Sequence, residues 1–384
     1  MKDISEYASN APASCSALTE TCLSAEVLCY NFNSLCTDST AQSLCSTDHD
    51  PIQTQNMIIR FLSSYPGMYI TQSMLHAHMA LVIVELSFFA WGIRDHHAKF
   101  RYRLLTLTLP VFMFPLYQLI TPHRSEWYFR LNTALFDSQR WLALDLLGIL
   151  PLYHVFVVFV LIVTAVFIVQ EILPIFRERS SGSDLGTCTG TLDTLDTMLD
   201  DICHAIHIKK PSICVIDEPL PILVTQGFRN HTIIVSNHLI ESLDEEQLRG
   251  ALTHEAVHIM RDSSIKTQLI YLLRILMFYN PVSLVEFRRV VHDDEFICDA
   301  ITVSKTKNPA ALIAAISSFY YHLAQRPEGL SQMKERIESH SHNLLLDERI
   351  QKLQEIGHEG PERFGWVPFM LTASVILVMG YLVV

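Results

Sequence analysis

The polarity of the chain changes character several times. Up to residue 66 the sequence is rich in Ser, Thr and Ala, and no long apolar run occurs. Three apolar segments follow, over roughly Tyr69–Ile93, Leu104–Ile120 and Leu142–Ile175, and a fourth runs from Trp366 to Val384. A membrane-crossing helix needs about 20 apolar residues. The pattern therefore predicts four spans, the second interrupted by Pro110 and Pro115. It divides the chain into a poorly ordered segment over 1–66, three transmembrane helices over 67–176, a soluble domain over 177–363 and a C-terminal transmembrane helix over 364–384.

The soluble domain opens on SSGSDLGTCTGT, a linker by composition. Leu195, Leu199, Ile202 and Ile206 then recur at helical spacing. Ile213–Ile216, Pro221–Thr225 and Thr232–Ser236 read as short strands, the last two joined by a turn over Gln226–Asn230 as a hairpin. Asp244 and Gln247 form a capping box ahead of the next helix. The apolar run LIYLLRILMF, Leu269 to Phe278, is too short to span and carries Arg274. It is expected to be a buried core helix that could lie against the membrane.

Composition narrows the class. Apolar residues make up 49% of the 384 and charged residues 18%, which excludes global disorder and favours a membrane protein. The net charge of −12 gives no reason to expect nucleic-acid binding. Arg94, Lys99, Arg101 and Arg103 crowd the first interspan loop, and Arg177 and Arg179 follow the third span. The positive-inside rule makes both regions cytoplasmic, which puts the N-terminus outside and the soluble domain in the cytoplasm. Arg124, Arg130 and Arg140 in the second loop reduce the contrast.

Cys15, Cys22, Cys29, Cys36 and Cys45 crowd the N-terminal segment. Their spacing is read as a repeat without function in preference to a disulfide or metal-binding head. The segment has no signal-peptide pattern, and Met57 begins a more ordinary membrane-protein start. In the first span His76, His78 and Glu85 are costly in lipid, and are expected to face other helices or an interface. Asp145 and His154 in the third segment read the same way.

The capped helix carries HEAVH, residues 254 to 258. Residues four apart share a helix face, so His254 and His258 point to one spot, with Glu255 beside it. Two imidazoles and a carboxylate free to deprotonate bound water suit a hydrolytic zinc site. A third ligand is offered downstream in HDDEFICDAITV. Glu295 can ligate, and Asp299, one turn on, can accept the second ring N–H of a ligand histidine. Asp293, Asp294 and His292 are rivals that spacing does not exclude, and Cys298 reads as a packing residue.

HEAVH followed by Glu295-Phe-Ile-Cys298-Asp299 resembles the gluzincin membrane metallopeptidases, both the BlaR/MecR type and the HtpX-like type. Cys298 before the aspartate, Arg261 and the Asn280-Pro281 dipeptide resemble the BlaR/MecR type in particular. The resemblance covers about 210 to 355 with the flanking spans. It implies a multi-pass α-helical membrane protein with an α+β zincin-like (gluzincin) domain, holding one Zn2+ per chain. It further implies His254, His258 and Glu295 as ligands, Glu255 as general base, Asp299 behind a ligand, and His340, His342 or Arg349 as oxyanion donors. The implied substrate is a membrane or juxtamembrane protein, laid as an extra strand along Thr232–Ser236. Regulatory proteolysis is favoured over membrane quality control and over a non-catalytic zinc scaffold.

The sequence also departs from the pattern. The family aspartate after HExxH usually stands one position beyond Asp262, where this chain has Ser263. Sensor receptors of this type carry an extracellular penicillin-binding domain after the last span, whereas this sequence ends at Val384, so β-lactam sensing is not implied.

Overall fold

A computed structural model describes residues 51–146, 148, 150–173, 188, 193–219, 221–227, 230–324, 346–354 and 365–384. The N-terminal cysteine repeat lies outside these residues. The chain divides into two units, Met1–Arg60 and Phe61–Val384. Helix α1 (Pro51–Ser63) begins in the first.

The second unit opens with two long helices, α2 (Tyr65–Trp91) and α3 (His96–Ile120). Ser64 caps α2 through the Gly67 amide, and Gly92 ends it in the left-handed conformation, φ 62°, that glycine adopts without strain. Asp95 caps α3 by accepting from the Ala98 amide at 3.0 Å. That cap starts α3 eight residues before Leu104, the edge of the apolar run. Lys99, Arg101 and Arg103 are thus helical residues rather than loop residues. The helix runs through Pro110 and Pro115. It is held by its partners: Ala80 and Val84 of α2 pack with Tyr102, Met113 and Tyr117 of α3.

The third apolar segment is not one helix. After a 3-10 turn (Pro122–Ser125) come two short helices, α4 (Trp127–Asn132) and α5 (Ser138–Leu142). A two-residue hairpin follows, β1 (Asp145–Leu146) paired with β2 (Leu150–Pro151). Gly148 supplies a positive φ of 71° in its turn. Only then does α6 (Leu152–Phe167) begin, extended by a π turn over Ile168–Ile172. Asp145 therefore sits on the hairpin, outside the apolar helix. Among the described residues, three helices are long and apolar enough to cross a membrane: Tyr65–Trp91, His96–Ile120 and Leu152–Ile172.

The remainder comprises α7 (Asp193–Ile206), β3 (Ser212–Ile216), β4 (Leu223–Gln226), β5 (Thr232–Ser236), α8 (Asn237–Ser242), α9 (Glu245–Met260), α10 (Ser263–Leu276), α11 (Pro281–Thr306), α12 (Pro309–Ala324), a short helix α13 over 346–354, and α14 (Trp366–Tyr381). The sheet order is β3-β5-β4. β4 and β5 form the expected antiparallel pair, Val224 opposite Ile234, while β3 joins β5 in parallel. β5 is therefore the central strand, occupied on both sides, and cannot be the edge along which a substrate strand was expected to lie. Among the described residues β3 and β4 are the two outer strands, and β4 is the one whose Thr225 reaches the HEAVH helix. One face of the sheet packs Val215, Ile233 and Val235 against Leu195 and Leu199 of α7 and Leu252 and Ala256 of α9.

The Asp244–Gln247 capping box that starts α9 is present in both directions. At 16 residues α14 is shorter than the length of about 20 that a crossing helix needs. Its Ile376 joins the α2–α3 core. The chain end then runs beside Phe136, with the Val384 amide donating to the Phe136 carbonyl at 2.8 Å. Arg124, fully buried, donates to the carbonyls of Gly380 and Tyr381 at 2.9 Å. His76 reaches the same Gly380 carbonyl at 3.1 Å, so this membrane histidine faces other helices as expected. Cys188 and Cys214 form a disulfide that ties the approach to α7 onto β3.

Candidate metal centre

Two helices build the centre. α9 presents His254 and His258 one turn apart, and α11 crosses it to present Glu295. The Nε2 atoms of His254 and His258 are 3.1 Å apart. Glu295 Oε2 lies 3.4 Å from His254 Nε2, and Glu295 Oε1 lies 3.4 Å from His258 Nε2. Three donors at the corners of so small a triangle form a group able to hold a metal ion.

Each ligand candidate is backed by a second residue. His254 turns Nδ1 toward Asp299 Oδ1 at 3.0 Å. Asp299 is itself held by Arg349, whose Nε and a terminal nitrogen each donate to it at 2.7 Å. His258 turns Nδ1 toward the Cys298 Sγ at 3.4 Å. Cys298 thus does more than pack, and the donor atoms of His258, Asp294 and Cys298 lie close enough together to form a second, overlapping group able to hold a metal ion.

Two of the rivals of Glu295, Asp293 and Asp294, are paired with basic side chains. Asp293 takes Arg103 at 2.6 Å and His96 at 2.8 Å, both from α3. Asp294 takes Arg261, just past the end of α9, at 2.6 Å. Three consecutive carboxylates therefore point to three different elements, as the 100° step of a helix requires. Asp262 has a left-handed backbone, φ 53°, and starts α10 without capping it through its side chain.

Electrostatics fit a site built for positive charge. Burial lowers the proton affinity of His254, but Asp299 and Glu295 more than reverse this and raise its pKa to about 10. Burial alone would raise the Glu295 pKa, yet His254, Arg349 and His258 hold the carboxyl far below the usual range. Asp299 is lowered in the same way against its own burial, by His254 and Arg349. His258 is lowered, first by burial and then by the charge on His254.

Glu255 lies beside the triangle, and the Thr225 hydroxyl of β4 donates to its Oε2 at 2.7 Å. A cleft opens here. Leu223, Ala251, Leu312 and Ile316 form apolar walls beside His254, Glu255, His258, Glu295 and Arg349. Such a cleft, with a few converging polar groups, is the usual form of a ligand site.

Of the residues expected at the site, His254, Glu255, His258, Glu295, Asp299 and Arg349 come together. Arg349 is bound to Asp299 and lies 3.2 Å from Glu295, so it grips carboxylates rather than standing free as an oxyanion donor. His340 and His342 lie outside the described residues. Sequence reasoning did not find Thr225, Arg103 or His96. Nothing local marks Thr225, which reaches Glu255 only because β4 pairs outside β5.

No curated protein matches the chain. Residues 132–312 match the family model described as BlaR1 peptidase M56. That stretch holds both the HEAVH helix and the Glu295–Asp299 turn, and it is similar to the BlaR/MecR-type peptidases.

Proposed function

We propose that the chain is a membrane-bound zinc endopeptidase acting in regulatory proteolysis, with His254, His258 and Glu295 as ligands and Glu255 as general base. The observation that carries this reading is the triangle of Nε2, Nε2 and carboxylate oxygens with edges of 3.1 to 3.4 Å. Ligands about 2.0–2.1 Å from a tetrahedral zinc stand about 3.3 Å from one another, so the donor set fits that ion. Its two imidazoles and one carboxylate are also a composition used by catalytic zinc, which leaves the fourth position open.

Zinc, when bound, supplies a Lewis acid that acidifies water and polarises a peptide carbonyl. The residues do the rest. Glu255, held by Thr225, takes a proton from the attacking water and returns it to the leaving amine. Asp299 fixes the orientation and tautomer of His254, and Cys298 faces the corresponding nitrogen of His258. Arg349 keeps Asp299 and Glu295 in register. The apolar cleft walls exclude water around a bound chain. A substrate in extended form adds to the sheet at β4, the outer strand that carries Thr225. Lys99, Arg101 and Arg103 in the first turns of α3 support a cytoplasmic peptidase domain.

A survey of new protein N-termini in membranes, comparing wild type with Glu255→Gln, tests this reading. Termini lost in the variant at unchanged zinc content support a zinc peptidase. One or two such termini would identify a signalling substrate, and many would indicate quality control instead. Zinc retained with no terminus changed would leave a scaffold and sink the proposal.

A further inference from the structure

Helix α10 was expected to be a buried core helix that could lie against the membrane, and from Leu269 on it is apolar on both sides. Ile270, Leu273 and Met277 are buried against other helices, while Leu269 is 58% and Leu272 51% exposed, with Ile275, Leu276 and Phe278 exposed as well. A helix apolar all round belongs in a core or in a membrane.

Its neighbours say which. Ile270 packs with Leu107 of α3 and Val290 of α11. Leu273 and Met277 pack with Ala77 of α2 and Val111 of α3. The Tyr279 hydroxyl is 2.7 Å from Ser73 Oγ. Ala77 and Val111 are each about 21–22 Å along their helices from the α2–α3 loop, and Ser73 about 27 Å, at a rise of about 1.5 Å per residue. In the opposite direction, α11 climbs back from Asn280 to Asp293, about 20 Å by the same measure. Asp293 there meets His96 and Arg103 at the loop end of α3. The two measures agree. α10 and the first half of α11 form a hairpin lying alongside the midpoints of two candidate spans.

The hairpin meets the demands of lipid. Backbone groups in the hydrocarbon region must be satisfied internally. At the turn, Ser283 Oγ reaches the carbonyls of Met277 and Asn280 at 2.8 Å each, and Asn280 Oδ1 accepts from the Val282 amide at 3.0 Å. Arg274 is buried and paired with Glu171 at 2.6 Å, and Glu286, equally far past the turn, is buried and paired with Arg289 at 2.8 Å. The Arg274 guanidinium also lies 4.8 Å from the Phe287 ring centroid. Paired ions facing protein are the form in which charge survives within a membrane.

We infer that Ser263–Val290 is a re-entrant helical hairpin inserted in the bilayer, with Leu269, Leu272, Ile275 and Leu276 facing lipid. What surrounds the middle of α2 and α3 also surrounds α10. Glu295 then sits just where α11 leaves the lipid, so the metal centre stands at the bilayer surface.

The test does not depend on catalysis. The full chain is placed in phosphatidylcholine vesicles, with or without bromine on the acyl chains. Leu272→Trp and Leu269→Trp are compared with the parent and with His204→Trp, which is exposed on α7. All three sites are exposed, so each variant should fold. The emission added at 272 and 269 is expected to be lost in brominated vesicles and untouched by aqueous acrylamide, with the reverse at 204. Acrylamide quenching at 272 and 269 would place α10 in water. Quenching by neither agent would place it against protein, such as a second copy. Either result overturns the inference.

Discussion

Thr225 donates its hydroxyl to Glu255 at 2.7 Å, across from an edge strand to the helix that carries the metal-ligand candidates. A single hydrogen bond to a charged group contributes about 1.5–3 kcal/mol when both partners are in place. Thr225→Val keeps the shape and removes the donor. Peptidase turnover should fall about tenfold or more, with zinc content unchanged. Thr225→Ser, which keeps the hydroxyl, should recover most of the rate. Equal loss in both variants would assign the effect to packing.

Asp299 is tied at once to His254, at 3.0 Å, and to Arg349, at 2.7 Å. Asp299→Asn should weaken zinc binding about 10- to 100-fold, the usual cost of losing a carboxylate behind a ligand histidine. Competition with a zinc chelator of known affinity measures it. Affinity equal to that of the wild type would show that His254 orients without help.

His254 in the metal-free protein has its pKa raised to about 10 from a model-peptide value of 6.5. It is therefore protonated at pH 7 and must lose that proton to ligate. Zinc uptake at pH 7 should release about one proton per ion, and affinity should rise with pH until about pH 10. Calorimetry in buffers of different ionisation enthalpy counts the proton. The sign for stability is opposite. A raised folded-state pKa stabilises the metal-free protein fully below about pH 6.5, and that contribution fades as pH rises toward 10. Asp299, whose pKa is lowered, contributes above its unfolded value and loses its contribution as pH falls.

The centre was legible in the sequence because its logic is local. His254 and His258 share a face by helix period alone, and the Glu295–Asp299 spacing repeats the same rule. What the sequence could not specify was which neighbour each acidic residue of α11 would meet. Asp293, Asp294 and Glu295 differ only in rotation, and the choice among them is made by α3, by Arg261 and by α9. Strand order was hidden for a similar reason. The hairpin signal gave the β4–β5 pair, but the parallel docking of β3 on β5 depends on α7 and α9. Helix α10 was read as a core helix that could lie against the membrane, and apolar length alone does not reveal which of its leucines stay exposed.

Of the two outer strands, β4 carries Thr225 beside Glu255, so its edge is where an extended peptide should lie. With Glu255→Gln, a bound substrate peptide should persist. Hydrogen exchange should then slow within Leu223–Gln226 and stay unchanged in Ser212–Ile216. Slowing in β3 alone would move the binding edge to the other side of the sheet.

The Cys188–Cys214 disulfide bears on which side of the membrane the peptidase domain occupies. Structural disulfides persist in oxidising compartments and are rare where thiols are kept reduced. The domain is proposed to face the cytoplasm, so both thiols should be free in the cell. Acid-trapped membranes, denatured and alkylated without reductant, should show Cys188 and Cys214 modified. Purification in air should then close the pair and protect both. Cys188→Ser should leave the protein in the cell unaffected, yet lower the stability of the oxidised protein by about 3 kcal/mol, the loop-entropy value for a closure of this general size. A pair already closed in acid-trapped membranes would place the domain on the oxidising side. That would reverse the topology drawn from Lys99, Arg101 and Arg103.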